Sequence, residues 1–380
     1  MITCMYDRML EFLWFVGYCG EFPSQLVLRI GGHPEWNRHV KYRAIERGYV
    51  TVWKGVYQQR VVRSLRLTDA GLDYIGERDP AALEYILAQP HGGVINRVNL
   101  EKTLRLHAVA YGMVMAYNAG AIILPRMKPT LLPPKLAGQS VVPFDPTKLY
   151  YYSANELRDG IQAFESDSVA KSSRILGVIV QGSRCFCLYH TGHRRMYWMR
   201  NNEENTVASI ETLLTIRGFP CSIFSQVVIA SNMSLAPKIA KYNINNRGRY
   251  FTVSDAYNNC FYVENSTRGD FQLKTICNPT WQQRVNRIAL SGFREPSLPS
   301  RSYDAVTEDN SRAVILGYQY DLLALLNIDA TPHGFRYSPI LLCFDYQVDT
   351  IQAIVGPKIE VRSIFKGDLY EWEKEIRGPD

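Results

Sequence analysis

Through the first hundred residues apolar positions recur at helical spacing, broken once by a pair of β-prone runs. The pattern predicts a first helix from about Met5 to Tyr18 and a second from Gln25 to Ile30, opened by Pro23-Ser24. Gly31-Gly32 then breaks the chain, and His33-Pro34 starts a third helix, since proline suits a first turn where its missing N–H would be unpaired anyway. In that helix Val40 and Ala44 share one face, Arg38, His39, Tyr42 and Arg43 project from the other, and Arg47-Gly48 supplies the stop. Tyr49 to Trp53 and Val61 to Leu67 read as strands joined by a polar loop long for a hairpin, and Leu67-Thr68 opens another helix with Thr68 as cap. Asp79-Pro80 begins a further short helix, Gly92-Gly93 a turn, and Asn99 to Asn118 a long helix.

Six prolines fall between Pro125 and Pro146, a density that neither helix nor inner strand accepts, so a linker lying along a surface is expected there. Beyond it the rhythm is that of strands. Arg174 to Val180, Cys185 to His190 and Met196 to Met199 predict an antiparallel meander; Gln226 to Ala230, Tyr250 to Val253, Cys260 to Val263, Phe271 to Thr275, Ile340 to Phe344 and Ile359 to Ile364 predict further strands. Glu203 to Thr215, Leu235 to Lys241 and Thr350 to Val355 read as helices, and Ser291 to Ser311 as a loop. The fold class is therefore α+β: residues 1–80 a winged helix-turn-helix, 81–124 a helical extension, 125–146 the linker, 147–380 a mixed α/β domain.

The winged reading rests on order, helix then hairpin then helix, and charge agrees with it. Arg29 to Arg66 holds nine Lys or Arg against two acids, a surplus of seven that equals the net charge of the whole 380-residue chain. A basic helix face beside a basic hairpin suits a phosphate backbone and its grooves, against the plainer reading of a solvated charged face. Arg38, His39, Lys41, Tyr42, Arg43, Lys54, Arg60 and Arg63 are the expected duplex-DNA contacts. Arg38, Tyr42 and Arg43 are assigned to the major groove, Lys54 and Arg60 to phosphate or the minor groove.

With 46% hydrophobic and 21% charged residues the chain is expected to be globular, with two or three domains of ordinary size. Eight scattered cysteines, without a secretory signal or a zinc-like C-x-x-C, read as reduced thiols of a cytoplasmic protein; Cys185 and Cys187 share a sheet face. Leu106 to Leu124 lacks Lys, Arg, Asp and Glu, yet its His107, Asn118 and glycines favour a buried helix over a membrane span. No phosphate-binding loop, dinucleotide motif, metalloprotease motif or nucleophile elbow occurs, so no cofactor, metal or catalytic residue is assigned. His190-Thr-Gly-His193 has no third ligand in reach and reads as a turn. Asp345 and Glu360-Val361-Arg362 loosely echo a nuclease pair of acids, but arginine stands where a lysine would assist water, and it stays protonated.

Three places resemble the replication-relaxation family, winged-helix proteins found largely on plasmids and integrative conjugative elements of Gram-positive bacteria. They are Leu67-Thr68-Asp69-Ala70-Gly71; Leu104-Arg-Leu-His107 leading to Asn-Ala-Gly; and Tyr151-Tyr-Ser153-Ala-Asn-Glu156-Leu with Ser173-Arg174-Ile-Leu-Gly177. The resemblance covers roughly the first 200 residues by this pattern. It implies a double-stranded-DNA-binding accessory protein acting in plasmid replication or conjugative transfer, with relaxosome or replication proteins as partners. It also implies a C-terminal domain similar to a degenerate restriction-endonuclease-like fold. A winged-helix transcriptional regulator with an effector domain and a metal-dependent nuclease are the alternatives. A homodimer through the 99–118 helix and a docking surface beginning at Tyr150-Tyr151-Tyr152 are further expectations.

Overall fold

The structure is a computed structural model describing residues 7–90, 99–133, 142–164, 173–192, 196–243, 250–253, 256–296, 303–328, 335–365 and 369–377. The N-terminal region runs α1 (Arg8–Cys19), β1 (Phe22–Pro23), a 3-10 turn at Leu26–Arg29, α2 (Pro34–Glu46), β2 (Val50–Tyr57), β3 (Arg60–Leu67), α3 (Asp69–Arg78), α4 (Pro80–Ala88) and α5 (Leu100–Asn118). The caps follow local chemistry. Thr68 accepts the Gly71 N–H at the start of α3, Asp79 the Ala82 N–H at α4, and Asn99 the Lys102 N–H at α5. The helix expected at Gln25–Ile30 is only the 3-10 turn, too short to complete α-helical hydrogen bonding before Gly31-Gly32.

The hairpin differs from expectation. The strands extend to Tyr57 and from Arg60, in register Val56↔Val61 and Tyr57↔Arg60, leaving a two-residue turn at Gln58-Gln59. Both glutamines have positive φ, 48° and 66°, as such turns demand. The β-branched pair Val56 and Val61 carries the ladder through what composition reads as loop. β1 adds to the other edge of β3, giving the order β1-β3-β2.

The central region runs β4 (Tyr150–Ser153), α6 (Ala154–Gln162), β5 (Gly177–Gln181), β6 (Arg184–Gly192), α7 (Arg200–Ile216), β7 (Ile223–Ala230), α8 (Ala236–Asn243), β8 (Asn259–Glu264), α9 (Thr267–Cys277) and α10 (Pro279–Ala289). Its five strands lie in chain order, β4-β5-β6 antiparallel and β6-β7-β8 parallel through helical crossovers. The expected strands at 196–199 and 250–253 amount to one bridge, Tyr197↔Tyr250. The expected strand at 271–275 is part of α9, because Ser266 caps a helix there and its apolar residues suit helical spacing. The last stretch, β9 (Ala305–Val306), β10 (Ala313–Leu316), α11 (Leu322–Leu326), β11 (Ile340–Cys343), α12 (Val348–Val355), β12 (Glu360–Ser363) and α13 (Leu369–Arg377), forms a third sheet in the order β12-β11-β10-β9. The whole is a mixed α+β architecture.

Strand alternation divides the main sheet between two cores. Phe186 and Leu188 of β6 join α1, α5 and α9 on one side; Cys185, Cys187 and Tyr189 join α6, α7 and α8 on the other. Gly112 lets α5 approach closely: a Cβ there would meet Leu176 at 3.3 Å. The α5 helix thus bridges the N-terminal region to the sheet. Among its residues only Glu101, Lys102 and Arg105 are exposed, so the homodimer expected through this helix finds no apolar face there. Tyr150, Tyr151 and Tyr152 are each about 1% exposed, and the docking surface expected at them is a buried strand. From the proline-rich segment, Leu131 is buried and Lys128 Nζ bonds the Tyr151 carbonyl and Glu156, tying it to β4. Pro134 and Gly138, like the turn at Gly92-Gly93, lie outside the described residues. No helix among the described residues is long and apolar enough to cross a membrane, and every described cysteine is free and buried.

Candidate nucleic-acid interface

The outer face of α2 and the hairpin gathers exposed cations from both elements. His33 accepts the Glu35 N–H and Pro34 follows at the first helical position. Asn37 turns inward and donates to the carbonyls of Ile30 and Gly31, and Ala44 is fully buried, fixing which side of the helix faces out. Gly48, φ 70°, ends the helix: Tyr49 N–H reaches the Ala44 carbonyl at 2.9 Å and Gly48 N–H that of Ile45 at 3.0 Å. Thr68 Oγ1 donates to the Gly48 carbonyl, closing α2 onto the far end of the hairpin.

Of the eight residues assigned from sequence, Arg38, His39, Tyr42, Arg43, Lys54, Arg60 and Arg63 are exposed and Lys41 is half-buried. Arg38 pairs with Glu35 at 2.9 Å. No carboxylate among the described residues pairs with Lys41, Arg43, Lys54, Arg60 or Arg63. Lys54 and Arg63 are directly opposed across the hairpin, an arrangement that costs stability unless an anion lies between or beside them. Burial, with help from Arg38 and Arg63, lowers the Lys41 pKa, which places helix and hairpin cations in one field. Lys54 and Arg60 stand at paired strand positions and not in a loop, because the turn is confined to Gln58-Gln59.

Charge counting misjudges two members of the segment. Arg29 turns inward to Asp270 of α9 at 2.6 Å and donates also to Asn265 and the Ser266 carbonyl. Asn118 bonds the same carboxylate at 2.9 Å. Burial raises the Asp270 pKa by more than Arg29 and Asn118 lower it. Arg66 pairs with the buried Glu21, which also accepts from Thr103 of α5. Beside it, Ser64 of β3 bonds His107 of α5 at 2.5 Å, and burial pushes that imidazole down to about 4. These joints fasten the hairpin base to α5 and thereby to the sheet.

Sequence reasoning overlooked Trp36, which is 70% exposed. With His33, Glu35, His39, Val40 and Arg43 it lines a groove of about 390 Å³ along α2. The signal was present: with Pro34 fixing the start of the helix, residues 36, 39, 40 and 43 fall on one stripe.

The nuclease pair does not assemble. β11 and β12 are parallel with Ile340 opposite Glu360, so Asp345, five residues on, lies on the order of 15 Å away at the other end of the sheet. Glu360 is held by Arg362 and Arg312, which lower its pKa. Among the described residues no three His, Cys, Asp or Glu side chains are placed to hold a metal. His190 stacks on the Tyr111 ring at 5.5 Å, while His193 lies outside the described residues. No protein-family model, curated protein or solved structure matches the chain.

Proposed function

We propose that this chain is a duplex-DNA-binding protein of winged helix-turn-helix type, with α2 entering the major groove and the β2–β3 hairpin lying as a wing against phosphates or the minor groove. The observation that carries the reading is the field of unpaired cations, Lys41, Arg43, Lys54, Arg60 and Arg63, shared between α2 and the hairpin. A polyanion relieves their mutual repulsion, and counterion release drives its binding. The β1-β3-β2 sheet beside α2 supports the same architecture. From the resemblance comes the finer proposal, an accessory factor of plasmid replication or conjugative transfer that marks a site and recruits relaxosome or replication proteins. In that reading the sheet region docks partners and does not cut DNA.

The test is selection of a preferred site from a random duplex pool by the full chain, followed by mapping on the native DNA. A site at an origin, with adjacent transcripts unchanged when the protein is removed, is expected. Nicking of supercoiled DNA in magnesium or manganese that disappears in Asp345→Ala and Glu360→Ala would overturn the non-cutting role. A regulator is the second reading, favoured by a groove of about 240 Å³ between α1, α4 and the segment from Leu124. There Asp79 pairs with Arg126 and caps α4 through Oδ1, while its Oδ2 and the Tyr18 hydroxyl are buried without a hydrogen-bond partner among the described residues, which suits a small hydrogen-bonding effector. Binding upstream of its own gene with altered messenger levels would select that reading.

A further inference from the structure

We infer that the groove on the outer side of α2 takes an unpaired DNA base stacked on the indole of Trp36, so that the site prefers duplex carrying a gap or single-stranded overhang to continuous duplex. The inference rests on the DNA-binding reading above and adds to it the form of DNA recognised.

Trp36 stands on the first turn of α2 and is 70% exposed, more than Tyr42 on the same helix (59%) or Tyr57 on the hairpin (39%). An indole offers a flat π face, and its natural nucleic-acid partner is the face of a base. In continuous duplex those faces are covered by neighbouring base pairs, and a groove presents only edges. The stacking surface of Trp36 is therefore matched only where a base is unstacked. The charges around it say which part of the DNA enters. Glu35, held by Arg38, places a carboxylate in the wall of the groove; this opposes a phosphate and accepts from an exocyclic base amine. Lys41 beside the stripe and Lys54 and Arg63 of the hairpin supply cations for the flanking phosphates, while Arg43, two turns along the stripe, faces base edges. His39, between Trp36 and Arg43, adds a second ring and a hydrogen-bonding nitrogen. The base thus sits over Trp36 while the backbone runs toward Lys41 and the hairpin.

The experiment uses the full chain and three labelled DNAs of one sequence: a blunt duplex, the same duplex with a short gap, and a single strand. Binding is read by fluorescence anisotropy for the wild type, Trp36→Phe and Trp36→Ala; the exposed position leaves folding intact, checked by circular dichroism. The gapped duplex is expected to bind about tenfold more tightly than the blunt one, in line with one base stacked on an aromatic ring. Trp36→Ala is expected to lower affinity for the gapped duplex about tenfold more than for the blunt one, which removes the preference, and Trp36→Phe to keep most of it. Equal affinity of the wild type for gapped and blunt duplex overturns the inference while leaving the DNA-binding reading intact. So does an equal loss on both DNAs in Trp36→Ala, which would put the indole in a duplex groove. Failure of the wild type to bind all three DNAs would overturn the DNA-binding reading, and this inference with it.

Discussion

Two sets of cations from the same forty residues have opposite fates. Arg29 and Arg66 turn inward, each closing on a buried carboxylate, Asp270 and Glu21. Lys41, Arg43, Lys54, Arg60 and Arg63 stay on the outer face without an acid, two of them opposed across the hairpin. Residue type cannot separate the sets, since both are basic and both flank apolar positions. What separates them is whether a carboxylate from a distant segment arrives: Asp270 lies 241 residues from Arg29 and Glu21 45 from Arg66. Paired charges hold the hairpin region to the sheet, and unpaired ones are left for an external anion.

The comparison breaks most visibly at Arg29. Arg29→Ala strands the Asp270 carboxylate in the core, and a stability loss of about 3–5 kcal/mol is expected in urea unfolding. An unchanged midpoint with lost DNA affinity would instead move Arg29 to the outer set. Next comes pH. The folded His107, held at about 4 against an ordinary 6.5, stays neutral where the unfolded chain's imidazole protonates. Its contribution is complete above pH 6.5 and is lost as pH falls toward 4, a total of about 3 kcal/mol. Unfolding midpoints between pH 7.5 and 4 measure it, and His107→Gln should flatten that part of the profile.

Among the outer cations effects are smaller and differ in kind. Arg43→Ala is expected to cost about 1–3 kcal/mol on the selected site and much less on random DNA, whereas Lys54→Ala should weaken both about equally. Equal losses for Arg43→Ala would reassign it to phosphate. The smallest effect concerns the hairpin turn. Gln59 at φ 66° pays for a conformation glycine adopts freely, so Gln59→Gly should raise stability by up to about 1 kcal/mol, read from thermal unfolding.

Much of this was legible locally. Thr68, Asp79 and Asn99 cap the helices that their sequences announce, and Pro34 with Gly48 bounds α2 because caps depend on near neighbours alone. The three stretches behind the family resemblance hold, besides Thr68, one local cap and two long-range joints. Ser153 and Glu156 form a reciprocal cap on α6, Ser173 bonds Glu203, and His107 bonds Ser64. Distant pairing decided what was missed. Phe271 to Thr275 is the exception, since its strand-like composition is overruled by the local Ser266 cap that starts a helix. The turn at Gln58-Gln59 lacks the usual glycine, and the strands on either side impose it. Within the candidate site the exposed face of α2 is readable from its period, while Trp36, being uncharged, lies outside the charge pattern that marks its neighbours.

The most direct test of the division between inner and outer cations is the salt dependence of duplex binding. If Lys41, Lys54, Arg60 and Arg63 each meet a phosphate, log affinity falls against log salt with a slope of about −3 to −4. The double variant Lys54→Ala, Arg63→Ala should flatten that slope by about two. A slope near zero in the wild type, or one the double variant leaves unchanged, would contradict the account.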